Sequence, residues 1–120
     1  MSDSLNSMAL PSGFRVRAPS MRDLPEAFDL LTACDLAHLG TPDTVLEDLR
    51  EEWGDLDLEH DAFLVLALDG RPVGVATVAG QTRMQAHVYV HPAYGQRGIE
   101  EYLRHVTEAR ARARAGDAWA

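Results

Sequence analysis

The 120-residue sequence has no lysine and a single cysteine, Cys34. One thiol cannot close an internal disulfide, so packing alone has to hold the chain together, and the reducing cytoplasm is the expected address. No apolar run approaches the ~20 residues needed to cross a bilayer. The first dozen residues are polar and lack the charged n-region and apolar h-region of a secretory signal, so residues 1–13 read as a disordered start. All eleven basic residues are arginine, which, with alanine abundant, points to codon usage rather than chemistry. These arginines form no basic stripe, and neither a nucleic-acid nor a membrane partner is expected.

What the chain has in excess is carboxylate, and in one place. The net charge is −8, and the stretch from Asp43 to Asp61 holds nine acidic residues against Arg50 alone, which accounts for the whole imbalance. A solvated helix face is one reading of that stretch. A field that draws cationic ligands toward a neighbouring cleft is the other. Apolar residues make up 46% and charged residues 25%, an ordinary globular composition, and the length suits one domain with a real core.

Periodicity divides the chain into alternating elements. Phe14, Val16 and Ala18 alternate with arginines in a short strand that Pro19 stops. Ser20 and Asp23 resemble a capping box opening a helix with Leu24, Ala27, Phe28, Leu31 and Cys34 on one face, which makes Cys34 a buried structural thiol. Gly40 and Pro42 precede a second helix, with Thr44 and Glu47 as its capping box and Val45, Leu49 and Trp53 recurring every four residues. Ala62 to Leu68 is an unbroken apolar run bounded by aspartates, which predicts a strand buried on both faces. Asp69-Gly70 predicts a tight turn into a second strand, Pro72 to Ala79, where Gly74 signals a bulge or a close approach by another backbone. A third strand follows with Met84, Ala86, Val88 and Val90 on one face and Gln85, His87, Tyr89 and His91 on the other. A last helix runs from about Gly98 to Ala115, with Ile99, Tyr102, Leu103, Val106 and Ala109 inward and Gly116 as C-cap. Residues 117–120 form a tail.

The most informative segment is Met84 to Arg104, where a strand passes through His91-Pro92 and a glycine-bearing loop into that helix. The first turn of a helix has backbone N–H groups without partners and a partial positive charge, so this junction can hold an anion. His91, before Pro92, shapes the turn. His38, His60 and His105 share no metal-ligand spacing and have no cysteine partner, so no metal site is expected.

The element order, the turn Asp69-Gly70-Arg71-Pro72-Val73-Gly74 and above all VYVHPAYGQRGIEEYL resemble the Gcn5-related N-acetyltransferase superfamily, most closely the amino-terminal half of tandem bacterial members. The resemblance runs from about Phe14 to Ala115, so residues 14–116 are expected to form a partial domain. It implies an α+β, three-layer fold: a mixed, mostly antiparallel sheet of about four strands with two N-terminal helices and one C-terminal helix. In the family the loop reads V-x-P-x-x-[R/Q]-x-x-G-x-[G/A]. Val90, Pro92 and Gly98 match, while Gly95 stands where the family has Arg or Gln and Glu100 where it has Gly or Ala. Family members continue with a further strand, a helix and two more strands, so the resemblance implies a truncated acyl-CoA acyltransferase fold, with the strand expected to flank the acyl arm and the region usually supplying the proton-donating tyrosine absent, and with an open edge at Gln85 to His91.

What the resemblance implies for function is transfer of an acetyl group from acetyl-CoA to an amine of a small molecule or peptide. Val88, Val90, Gly95, Gln96, Arg97, Gly98 and Ile99 are the implied coenzyme-binding positions. His87, on the polar face of the third strand with Tyr89 beside it, is the candidate general base, and the two are the candidate catalytic pair. Backbone N–H groups of the same strand would polarise the thioester carbonyl. Glu100 works against coenzyme binding, because a carboxylate about 4 Å from a phosphate costs on the order of 4 kcal/mol at an effective dielectric near 20. Arg97 is the compensating cation. The alternative is a catalytically inactive module of the same fold that dimerises, or pairs with another domain, through the exposed strand edge.

Overall fold

The computed structural model describes residues 10–81 and 83–116. Residues 1–9 of the expected disordered start and the expected tail, 117–120, lie outside the described residues.

The elements follow in the order β1 (Phe14–Arg17), a 3-10 turn (Met21–Asp23), α1 (Leu24–Leu39), α2 (Leu46–Gly54), α3 (Leu58–Asp61), β2 (Ala62–Ala67), β3 (Pro72–Ala79), β4 (Gln85–Val90), a second 3-10 turn (Pro92–Tyr94) and α4 (Ile99–Ala115). The strands form one sheet in the order β1-β2-β3-β4. Every pairing is antiparallel, so the parallel part of the expected mixed sheet does not occur among the described residues. The three-layer α+β architecture is as expected. α1 and α2 cover one face through Leu24, Leu30, Leu49 and Trp53 on Leu64, Leu66 and Val75. α4 covers the other through Ile99 and Leu103 on Val65, Val73 and Ala76. Because β2 and β3 are central and covered on both sides, their sequences are apolar without alternation.

Several local expectations are corrected. The run Ala62–Leu68 ends as a strand at Ala67, and Leu68 is 86% exposed because it belongs to the turn that closes with Gly70 N–H donating to Ala67 O. The Ser20–Asp23 capping box is present but opens the 3-10 turn rather than α1 itself. The Thr44–Glu47 box does not form. Asp35 of α1 takes the Thr44 hydroxyl at 2.8 Å and the amides of Asp43 and Thr44 at 2.9 and 2.7 Å, which leaves Val45 as an exposed N-cap without a side-chain bond. On α4 the inner position after Leu103 is Thr107, whose hydroxyl donates back to Leu103 O at 2.8 Å, while Ala109 is exposed. The turn α3 was hidden inside the acidic stretch. It buries Asp61 beneath Arg110 and Arg114 of α4, at 2.7 and 3.4 Å.

Of the two readings of Gly74, the irregularity is present beside it, and the close approach is by side chains rather than by another backbone. The β2–β3 register shifts between Val65 and Leu66, opposite Val73. A Cβ at Gly74 would stand 3.1 Å from Ile99 Cγ2 and 3.2 Å from Leu103 Cδ1, so the close neighbours are side chains of α4. With no side chain at this point, α4 sits low on the sheet and its first turn reaches the end of β4.

Two predictions concern stability. Gly74→Ala should cost about 1–2 kcal/mol and lower the melting temperature, because Ile99 and Leu103 are fully buried and have no room to give; an unchanged melting curve would contradict the packing described. Asp23 receives both Arg17 nitrogens at 2.9 Å and the Ser20 amide at 2.8 Å. Its carboxyl is held below the usual range, first by the Arg17 bonds and, against the opposing cost of burial, by the Ser20 amide. A depressed folded value contributes stability above the unfolded carboxyl value near pH ~4, lost as pH falls below it. Asp23→Asn should therefore flatten acid unfolding below about pH 4 and cost about 1–2 kcal/mol at neutral pH, measured by urea titrations across pH.

Candidate functional site

The phase of the β3–β4 ladder decides which backbone groups of β4 are free. His91 N–H donates to Val73 O at 2.8 Å, and the register pairs Val75 with Tyr89 and Thr77 with His87. Antiparallel pairs alternate, so the amides and carbonyls of Gln85, His87 and Tyr89 turn toward β3. Those of Ala86, Val88 and Val90 turn outward, at an edge that no other strand covers among the described residues. One outward group is capped: the Cys34 thiol donates to Val90 O at 3.3 Å. Burial, and then the nearby Asp35 carboxylate, push that thiol above its ordinary value, which suits the expected structural role rather than a nucleophile.

Beyond β4 the chain turns through Pro92–Tyr94. His91 Nδ1 accepts the Ala93 amide at 3.1 Å, so His91 shapes the turn as its place before proline suggested. Gly98 then takes φ +83°, a left-handed conformation that L side chains rarely adopt, with Pro11 Cγ 3.3 Å from where a Cβ would be. The first intrahelical bond is Tyr102 N–H to Gly98 O. Ahead of it the amides of Gln96, Arg97, Gly98, Ile99, Glu100 and Glu101 donate to no acceptor among the described residues, a run of free N–H groups at the positive end of a 17-residue helix.

These features converge on a groove of about 560 Å³. Val88, Tyr89 and Val90 form one wall, Gly95, Gln96 and Glu100 another, and Cys34 and His38 of α1 close it. Of the positions singled out from the sequence, Tyr89, Val88, Val90, Gly95 and Gln96 meet here. Ile99 does not line the groove, since its side chain is fully buried on Gly74. Nor does Arg97, whose guanidinium lies 5.4 Å from the Tyr94 ring centroid. The cation beside Glu100 is instead Arg104, one helical turn on, with Nε 2.9 Å from Glu100 Oε2. Gly95 has φ −67° and only an ordinary 3.5 Å contact at its Cβ position, so nothing in the backbone demands glycine there.

His87 turns to the α1–α2 side and lines a different space, a cavity of about 30 Å³ that it shares with Tyr89, Thr77, Glu52 and Trp53. Tyr89 is the residue common to groove and cavity. Burial, with the Glu52 and Asp35 carboxylates adding to it, raises the Tyr89 hydroxyl above its ordinary value, so it keeps its proton through the neutral range. Cys34, His38, Glu52, Trp53 and Thr77 carry no motif. Their part in these spaces follows only from helices and strands brought onto β4 from elsewhere in the chain. Among the described residues no three His, Cys, Asp or Glu side chains gather as a metal site, and no helix is long and apolar enough to cross a membrane.

No protein-family model matches the chain, and no curated protein matches it. Solved structures do. The crystal structure of a GCN5-related N-acetyltransferase from Sphaerobacter thermophilus is 32% identical and matches 88% of this chain and 34% of its own, with a TM-score of 0.81. A GCN5-related N-acetyltransferase from Kribbella flavida matches at 17% identity over 85% of this chain and 67% of its own, with a TM-score of 0.63. An N-acetyltransferase from Staphylococcus aureus Mu50 matches at 22% identity over 86% and 70%, with a TM-score of 0.62. The chain spans about a third of the length of the Sphaerobacter protein. With that protein's sheet and helices reproduced over most of the present chain, and the same fold recurring at lower identity, the chain belongs to the GCN5-related N-acetyltransferase superfamily as an N-acetyltransferase-like domain.

Proposed function

We propose that this domain binds acetyl-CoA in the groove along the outer edge of β4 and transfers the acetyl group to an amine. The observation that carries this reading is a space of about 560 Å³ beside the outward backbone of β4, lined by Gln96 and Glu100 at the start of α4, where the amides from Gln96 to Glu101 have no partner among the described residues. Such amides suit a pyrophosphate, and the outward groups of Val88 and Val90 suit the amides and carbonyl of a pantetheine arm. Gly95, which has no side chain, leaves the approach open beside Gln96. Glu100 opposes an anion, but its bond to Arg104 offsets part of that charge, a compensation that falls to Arg104 rather than Arg97.

When bound, acetyl-CoA supplies the thioester whose carbonyl carbon bonds to the amine nitrogen as the C–S bond breaks. His87 accepts the proton released by the amine at a ring nitrogen. An outward β4 amide, from Val88 or Val90, steadies the developing oxyanion. Tyr89, protonated and lining both spaces, donates from its hydroxyl to the leaving thiolate.

Calorimetric titration of the full chain with coenzyme A tests the binding step. Saturable heat is expected, and Glu100→Gln, which removes the one carboxylate at the groove's α4 wall, should tighten binding roughly threefold to tenfold. Absence of heat at millimolar coenzyme from folded protein would end the reading, and unchanged affinity in the variant would remove the role given to Glu100.

A second reading keeps the fold without the chemistry, as a module that pairs through β4. The open edge, with Ala86 and Val88 presenting unpaired backbone groups, favours it. Sedimentation equilibrium is then expected to give a dimer mass at micromolar concentration, lost on Val88→Pro, which removes an outward N–H. A monomer at all concentrations would count against pairing with a second copy.

A further inference from the structure

The edge of β4 borders a second space, of about 340 Å³, lined by Ala86 and Val88 from the strand and by Arg104, Thr107 and Glu108 from α4. Glu100 lines the groove together with Val90, whereas Glu108 shares this second space with Ala86, so α4 runs back along β4 with Arg104 in between. Thr107 is buried and bonds its own helix, which leaves Arg104 and Glu108 as the charged rim. Glu108 takes part in no ion pair among the described residues. Arg104 bonds Glu100 through Nε and Nη2, and its Nη1 makes no bond among those residues. An edge that carries one cation and one anion a helical turn apart repels part of any partner of a single charge sign. A second copy, turned about a two-fold axis, meets each charge with its opposite.

We propose that a second copy of this chain pairs with the edge of β4 about a two-fold axis through His87, that Arg104 of each copy meets Glu108 of the other across this space, and that the dimer so formed closes the groove to coenzyme. The inference rests on the pairing reading above and deepens it: it gives that interface a register and makes it a control on the coenzyme site.

Backbone and helix agree on the register. The outward groups of β4 belong to Ala86, Val88 and Val90, and Val90 O is already held by the Cys34 thiol. An antiparallel pairing that uses both Ala86 and Val88 of each copy sets Ala86 opposite Val88 of the second copy. This makes two hydrogen-bonded pairs, with His87 opposite His87 between them. Because α4 runs back along β4, the same rotation turns the Glu108 end of one helix toward the Arg104 end of the other. A two-fold contact closes on itself, so it covers the edge without leading to an open array of copies. Exclusion follows from the strand: the outward N–H and C=O of Val88, which suit the pantetheine arm, are bonded in the dimer. Coenzyme and second copy therefore compete by mass action for one strand.

Sedimentation equilibrium and coenzyme titration of the full chain test this. Arg104→Glu and Glu108→Arg, each alone, should weaken dimerisation roughly tenfold or more, because each sets like charges across the axis twice. Mixed in equal amounts, the two variants should regain a dimer of near wild-type affinity, since each supplies the charge the other lacks, and that recovery also shows that both fold. His87→Cys, oxidised with glutathione disulfide, should give a dimer linked at residue 87, whereas Tyr89→Cys, with Gln85 of the second copy opposite, should not. Coenzyme A should convert the wild-type dimer to monomer, and more should be needed at higher protein concentration. Single variants that dimerise as tightly as the wild type, a mixture that stays monomeric, linkage through residue 89, or coenzyme bound without loss of dimer mass overturn the proposal. Coenzyme heat from a wild-type chain that is monomeric throughout removes the dimer and leaves the transfer reading. A dimer of the expected register that gives no coenzyme heat, in the wild type or in Glu108→Arg, removes the transfer reading and the control with it.

Discussion

Everything about the site depends on how closely α4 lies on β3. At Gly74 the sheet has no side chain, and Ile99 and Leu103 occupy that space with no accessible surface of their own. Were α4 lifted by the thickness of a methyl group, its first turn would move away from β4, and Gln96 and Glu100 would no longer share a groove with Val88 and Val90. A packing contact at the centre of the sheet thus sets the geometry of a polar site at its edge.

The other end of α4 is held by a different force. Asp61 is 7% exposed and is met by Arg110 and Arg114, the latter also donating to Gly80 O in the link between β3 and β4. Charges taken out of water gain little net stability from each other but are costly to separate, so such a pair serves better to fix a position than to add stability. The apolar contact sets the height of the helix, and the ion pairs set its direction. Together they give a 17-residue helix with a defined N-terminus, which a site made of backbone amides requires.

The acidic stretch looks different in this setting. Read along the chain it is a field of nine carboxylates. In the fold those charges are divided among separate tasks. Asp61 is buried under α4, Asp57 bonds the His60 ring at 2.9 Å, Glu47 pairs with Arg50, and Glu52 stands at the cavity beside Tyr89. Of the stretch's carboxylates, Glu52 is the one that lines a cavity with the two candidate catalytic side chains, His87 and Tyr89, among the described residues.

Sequence alone determined the order of the strands and the longer helices, since period and punctuation are local: alternation on β4, the apolar runs of β2 and β3, the Asp69-Gly70 turn, and the glycine-bearing passage into α4. It also identified the superfamily and the part played by His91, because both are written in adjacent residues. Where it erred, a side chain outside the assumed pattern had taken the place. Asp35 took the Thr44 hydroxyl from the expected capping box, Thr107 rather than Ala109 lies on the buried face of α4, and Arg104 rather than Arg97 answered Glu100. Only the tertiary structure decided which β4 groups face outward, that Cys34 caps one of them, and that Glu52 and Thr77 line one cavity. Those facts depend on register and on the approach of one element to another, and such distances have no counterpart in spacing along the chain.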